Sequence, residues 1–357
     1  MARNAQVLIL ELLKPLAAGN NLAVYSSPYK GKYEFMQLEP IHALVKDNLQ
    51  DVNALILGSL RSKASVINDL GHYIIQSGGK RLRPLIVLLM AKACGYQGQD
   101  HIKLAAVIEF IHTATLLHDD VVDNSDLRRG QKTANSVWGN EAAVLVGDFL
   151  YSKAFQILVN VGDLRVMQVL ADATNTMAEG EALQLIERHN PETTEGGYLN
   201  VIRSKTAKLF EAAAQIGALL GNISPTIEAA ALQYGLHLGT AFQLMDDILD
   251  YQASTELTGK SLGNDLAEGK VTLPLIYILQ NGKPNEIRLL REAIQTGGHE
   301  YLPAIQEMIR SNGALDYTKQ HASTEIEKAN KLLVKIPTSP YRDALQALTK
   351  FAIHRDH

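Results

Sequence analysis

The chain has 357 residues, 34 Lys and Arg against 38 Asp and Glu, a formal net charge of −4 and 46% hydrophobic residues. That content can bury a large core, and the lack of a basic tail or block argues against nucleic acid as the main partner. Its single cysteine, Cys94, has no partner for an internal disulfide, so a reducing, cytoplasmic setting is the expectation. No stretch approaches 18 uninterrupted apolar residues, so no membrane-spanning helix is expected, which leaves transient membrane contact open.

In chain order, residues 1–35 carry a short apolar run, Val7 to Leu13, interrupted by Glu11, and then a stretch rich in Gly, Asn, Ser, Tyr and Pro. No cleavage site follows, and the segment reads as a loose N-terminal extension rather than a signal peptide. From Leu38 onward apolar residues recur at three- and four-residue spacing, and period-two alternation is nearly absent. The fold is therefore predicted to be all-α. Pro84 opens the run Leu85 to Met90 and Gly95 stops it. Further breaks fall near Gly162, Asn190-Pro191, Gly221-Asn222, Gly259 to Gly269, Asn281-Gly282 and Pro337 to Pro340. None is long enough to be an interdomain linker, so residues 36–357 are expected to form a single large helical bundle.

The chemistry-bearing residues come in the same order. Residues 78–84, GGKRLRP, place two glycines and three cations, among them Lys80 and Arg83, at a helix start. Close backbone approach, free N–H groups and formal charge make that an anion site, though a solvated basic loop has the same composition. His112 lies two helical turns before Asp119, on about the same face. A lone histidine on an apolar helix is more often a core residue, but its alignment with the acids favours a polar contact in a cavity.

Then comes DDxxD, Asp119-Asp120-Val121-Val122-Asp123, at the end of an apolar helical segment. It recurs as Asp246-Asp247-Ile248-Leu249-Asp250. Residues four apart share a helix face, so each cluster sets like charges side by side, an arrangement that costs free energy unless a cation intervenes. Oxygen-only clusters suit a hard divalent ion such as Mg2+, which completes its shell with water and phosphate. Two solvated acidic helix ends are the plainer alternative, weakened by the duplication. Arg128 and Arg129 follow the first cluster, free either to pair with it or to clamp phosphate oxygens. Lys205-Thr206 and Gln243 interrupt core-facing helices, and Gly259-Lys260 with Asp265 to Lys270 make a charged loop able to cover a diphosphate.

In order and spacing, these motifs resemble the trans-polyprenyl diphosphate synthases over about residues 37–357, with wording most similar to bacterial long-chain members, which make the ubiquinone side chain. The resemblance implies an isoprenoid-synthase bundle with a central cavity. It also implies Mg2+-dependent, sequential condensation of isopentenyl diphosphate onto an allylic diphosphate such as farnesyl diphosphate. Lys80, Arg83, His112 and Arg129 match the isopentenyl diphosphate site, and Arg128, Lys205, Thr206, Gln243 and Lys260 the allylic side. Asp119, Asp123 and Asp246 match principal metal ligands, with Lys205 beside them in catalysis, and Asp120, Asp247 and Asp250 match secondary ones. Ala114 and Thr115 stand where short-chain relatives carry a bulky floor, so an open tunnel and a long product are expected, with Ala114→Phe expected to shorten it. A homodimer packed through first-half helices is also implied. A terpene cyclase normally lacks the second DDxxD and GGKRxRP, and a non-catalytic partner subunit tends to lose one acidic cluster; this chain keeps all three.

Overall fold

The computed structural model describes residues 38–76, 79–128, 130–252 and 263–354. The extension 1–35, Arg129 and Lys260 lie outside the described residues. Helices α1 (Glu39–Leu44), α2 (Lys46–Ser59), α3 (Ser65–Gln76), α4 (Leu82–Ala93) and α5 (Asp100–Val122) open the fold. A two-residue hairpin follows, β1 (Leu127–Arg128) antiparallel to β2 (Gln131–Lys132). Then come α6 (Ala134–Trp138), α7 (Asn140–Val161), α8 (Leu164–Ile186) and α9 (Glu195–Ile202). A π-helical segment, Arg203–Ala207, joins α9 to α10 (Lys208–Leu219), and α11 (Pro225–Gln252) is the longest helix described. The chain closes with α12 (Asn264–Ala267), α13 (Leu273–Asn281), α14 (Pro284–Thr296), α15 (Leu302–Ser311), α16 (Ala314–Leu333) and α17 (Pro340–Ile353).

Helix α4 is the centre because it is apolar on every side: Leu85 through Met90 are all fully buried, and such a helix is stable only when surrounded. It packs on α5, α10 and α17. Against α10 the approach is backbone-close, since a Cβ on Gly217 would lie 2.8 Å from the Val87 carbonyl oxygen. Helix α5 pairs with α7, and α11 pairs with α10 and α16. The two helices that carry the acidic clusters are thus each fixed by long partners on their outer sides.

The punctuation is physical. Gly95 (φ 80°) and Gly162 (φ 74°) take left-handed conformations after α4 and α7, Asp163 caps α8 by accepting from the Arg165 and Val166 amides, and Ser339 caps α17 ahead of Pro340. One helix departs from the sequence expectation: α7 is long and apolar enough to cross a membrane by length and composition. Its polar interruptions, Asn160 and Lys153 among them, break any uninterrupted run, which is why it escapes a run-based reading. One face packs on α5, and Val144, Leu145 and Val159 remain exposed.

Candidate active site

A cavity of about 1780 Å3 runs between α4, α5, α8, the π segment and α11. Its first wall is the C-terminal end of α5. There the helix dipole is already negative, so Asp119, Asp120 and Asp123 add charge where it is least welcome. Cations answer each one. Arg128 donates from Nε and Nη2 to Asp120 Oδ1 at 3.0 and 2.7 Å. Lys205 Nζ stands 3.6 Å from Asp119 Oδ2, pairs with Glu181, and donates to Gln184 Oε1 at 2.7 Å. Asp123 takes an ion pair from Arg188 and another from Lys270 at 2.9 Å. Burial pushes the Asp119 carboxyl up to about 6 against the pull of Lys205, with Glu181 and Asp123 adding repulsion. At Asp123 burial pushes the same way, but Lys270, Lys205 and Arg188 hold the carboxyl below its ordinary value.

The second wall is the end of α11. Asp246 is half-buried on the cavity, while Asp247 is fully buried, hydrogen-bonded by Tyr198 and by Gln243 Nε2 at 2.9 Å. Burial, with Asp265 nearby, raises the Asp247 carboxyl well above the carboxylate range. Asp250, also on the cavity, receives the amides of Asn264 and Asp265, both at 3.2 Å, at the start of α12. Gln243 also accepts from Thr206 Oγ1 at 2.9 Å. A relay Thr206–Gln243–Asp247–Tyr198 therefore ties the π segment to the acidic end of α11. Lys270, from the loop after the second cluster, reaches Asp123 of the first, so the two walls face each other across a short span.

On the same cavity, Arg83 Nη1 lies 3.1 Å from His112 Nε2 and over the Phe210 ring, and Lys80 lies over Phe351 at 5.1 Å. Thr115 lines the cavity and donates to the His112 carbonyl at 2.8 Å. Ala114 is fully buried and is not on the cavity wall. Helix rotation explains the difference: with about 100° per residue, only one of the two neighbours faces the opening. The other candidates in the described residues, Lys80, Arg83, His112, Arg128, Lys205, Thr206, Gln243 and the six aspartates, all line it.

Sequence reasoning left out Glu181, Gln184, Arg188, Tyr198 and Lys270 as named site residues. Three of these lie on α8 or just past its end at spacings of three and four, a polar stripe that helical periodicity makes legible. Lys270 lies in the charged loop already singled out, without its partner Asp123, and Tyr198 carries no local signal.

The donor set fits a divalent ion by its chemistry: carboxylate oxygens at two helix ends, held by removable side-chain cations. It is not a finished cage, since among the described residues no group of three or more His, Cys, Asp or Glu is disposed to hold a metal. A substrate diphosphate would have to complete the shell, which is how Mg2+ is ordinarily bound.

The Polyprenyl synthetase family model matches residues 64–310. The chain belongs to the polyprenyl synthetase family. The synthetase is 49% identical over 322 residues, 90% of its length and 100% of the relative's, to the octaprenyl diphosphate synthase of Escherichia coli (strain K12). It is 46% identical over 327 residues, 91% of its length and 99% of the relative's, to that of Haemophilus influenzae. Its fold matches a polyprenyl synthase from Caulobacter crescentus CB15, complexed with calcium and isoprenyl diphosphate. The TM-score is 0.88 at 40% identity, covering 91% of this chain and 100% of that one. The synthetase is thus a prenyltransferase of the long-chain trans-polyprenyl diphosphate type, with the all-α isoprenoid synthase fold.

Proposed function

We propose that the enzyme extends an allylic diphosphate such as farnesyl diphosphate with isopentenyl diphosphate to octaprenyl diphosphate, for the ubiquinone side chain, with Mg2+ as its metal. The observation that carries the reading is the pair of aspartate-bearing helix ends facing one cavity that also holds the Arg83–His112 pair and the Lys205–Thr206–Gln243 set. Two sets of anion-binding groups are what a reaction between two diphosphates needs.

Bound Mg2+, held by Asp119, Asp123 and Asp246 with Asp120, Asp247 and Asp250 behind them, would supply charge stabilisation for the departing diphosphate. Lys205 adds its ammonium on the same side, joined by Arg128, fixed against Asp120; the motif assigns Lys260 to the same diphosphate. Thr206 and Gln243 orient that group through their mutual hydrogen bond. Lys80, Arg83, His112 and Arg129 hold the isopentenyl diphosphate so that its alkene faces the allylic carbon. The allylic C–O bond breaks with its electron pair staying on the diphosphate, the alkene electrons form the new C–C bond, and a proton leaves to the released diphosphate. Apolar lining, Leu116, Leu117, Met177, Leu209 and Phe242, excludes water from the cationic centre.

Thr115 on the wall is a small side chain where an aromatic one would block the tunnel. A homodimer is supported by the apolar side chains left exposed on α7 and α8, Leu145 and Leu164 among them. A cytoplasmic setting with transient membrane contact suits a buried free thiol, Cys94, whose pKa burial pushes up to about 11, and a water-insoluble product.

The test is product sizing with purified protein, Mg2+, farnesyl diphosphate and isopentenyl diphosphate. Octaprenyl diphosphate is expected; no elongated product contradicts the assignment. Thr115→Phe is expected to shorten the product with elongation retained. Ala114→Phe is expected to cost about 1–3 kcal/mol of stability by overpacking, measurable as a lower melting temperature. An unchanged product from Thr115→Phe would remove that wall from chain-length control.

A further inference from the structure

Arg81 sits between the two cations of the GGKRLRP turn and adopts φ 49°, ψ 35°, in the left-handed region, as the residue that caps α4. Its carbonyl accepts the first helical bond, from the Leu85 amide at 3.0 Å. A left-handed residue reverses the chain there, and residues 79–83 all lie on the cavity wall, Lys80 and Arg83 on either side of Arg81. Arginine is a poor choice for that backbone. The other non-glycine residues with positive φ among the described residues are Asn124, His189 and Asn222, types that visit the region more readily.

What holds Arg81 there is visible on α5. Its Nη1 donates to Glu109 Oε1 at 3.0 Å, with both side chains largely out of solvent, 18% and 15% exposed. Glu109 lies one helical turn before His112, so the same face of α5 grips Arg81 with one side chain and Arg83 with the next. Glu109 also lines the cavity, where an unpaired carboxylate would repel a diphosphate. Its place beside an anion site is accounted for by its being spent on Arg81.

We propose that Glu109 is a positioning residue for isopentenyl diphosphate. Through the Arg81 ion pair it fixes the left-handed turn that sets Lys80 and Arg83 on one anion. This rests on the reading of Lys80, Arg83 and His112 as the isopentenyl diphosphate site. The full chain is assayed with isopentenyl diphosphate varied at saturating farnesyl diphosphate, and then the reverse.

Glu109→Ala is expected to raise KM for isopentenyl diphosphate about tenfold or more, as loss of a charge-assisted pair implies, with KM for the allylic substrate unchanged. Glu109→Gln, which keeps the shape and one acceptor, is expected to show a smaller rise and serves if the alanine variant does not fold. In the double variant Glu109→Ala with Arg81→Gly, glycine takes the left-handed turn unaided and no charge is left unpaired, so KM is expected to return most of the way to wild type. An unchanged KM in both Glu109 variants overturns the proposal, and so does a double variant as impaired as Glu109→Ala, because then Arg81 would act on the substrate itself. Arg83→Ala is the control: if it leaves KM for isopentenyl diphosphate unchanged, the site reading fails, whereas a raised KM there with normal Glu109 variants sinks the positioning role alone.

Discussion

His101 shows how a single side chain can set the acid limit of this molecule. It lies in the first turn of α5 at 0% exposure, edge-on to Tyr96 with ring centroids 5.7 Å apart, and neither ring nitrogen has a hydrogen-bond partner. Burial, with Lys92 adding to it, pushes its pKa down from 6.5 to about 4. Above pH 6.5 the ring is neutral in both folded and unfolded chains. As pH falls from 6.5 to 4 the unfolded chain takes up a proton that the folded one refuses, so stability is lost across that window, by about 3 kcal/mol at most. Asp119 works the other way, since its raised carboxyl gains a proton in the folded state first, and it is common to wild type and variant. His101→Phe is therefore expected to lose less stability than wild type between pH 7 and 4.5 in denaturant titrations; parallel losses would contradict the assignment. The six aspartates were legible in the sequence because like charges at helical spacing on apolar helices break the binary pattern. The partners of Asp123 were not, since Arg188 and Lys270 lie 65 and 147 positions away and no local pattern joins them.

At the scale of elements, the decisive piece is the π-helical segment Arg203–Ala207, where one wider turn carries both Lys205 and Thr206 into the cavity. It stands so close to α8 that a Cβ on Gly180 would lie 2.8 Å from the Lys205 amide nitrogen. On the other side, a Cβ on Gly239 of α11 would lie 2.7 Å from the Ala207 Cα. Two glycines thus clamp the segment, and Gly180→Ala is expected to displace Lys205 and lower turnover at least tenfold, with a modest fall in melting temperature. Full activity in that variant would show that the close approach is incidental. Helix limits were readable where glycine, proline or a capping serine supplies a local cause. The π turn was not readable, because it is set by close contacts with α8 and α11 rather than by the residues within it, and the hairpin was not, because strands of two residues show no alternation.

For the molecule as a whole, the core around α4 was foreseeable from the apolar run Leu85 to Met90. A central cavity followed from the family resemblance, but its shape did not, because that depends on how α5, α8 and α11 pack. The internal neutralisation, in which Arg128, Arg188, Lys205 and Lys270 balance the first wall, was open to sequence only at Arg128, five residues past Asp123. The central claim is that both walls act on one metal-held diphosphate. Steady-state turnover as a function of Mg2+ concentration, for wild type, Asp119→Ala and Asp246→Ala, tests it most directly. Each substitution is predicted to cut kcat by at least about a hundredfold while leaving the melting temperature within a few degrees of wild type, because each removes a group used in the transition state. Near-normal turnover in either variant, or a loss explained by unfolding, would contradict it.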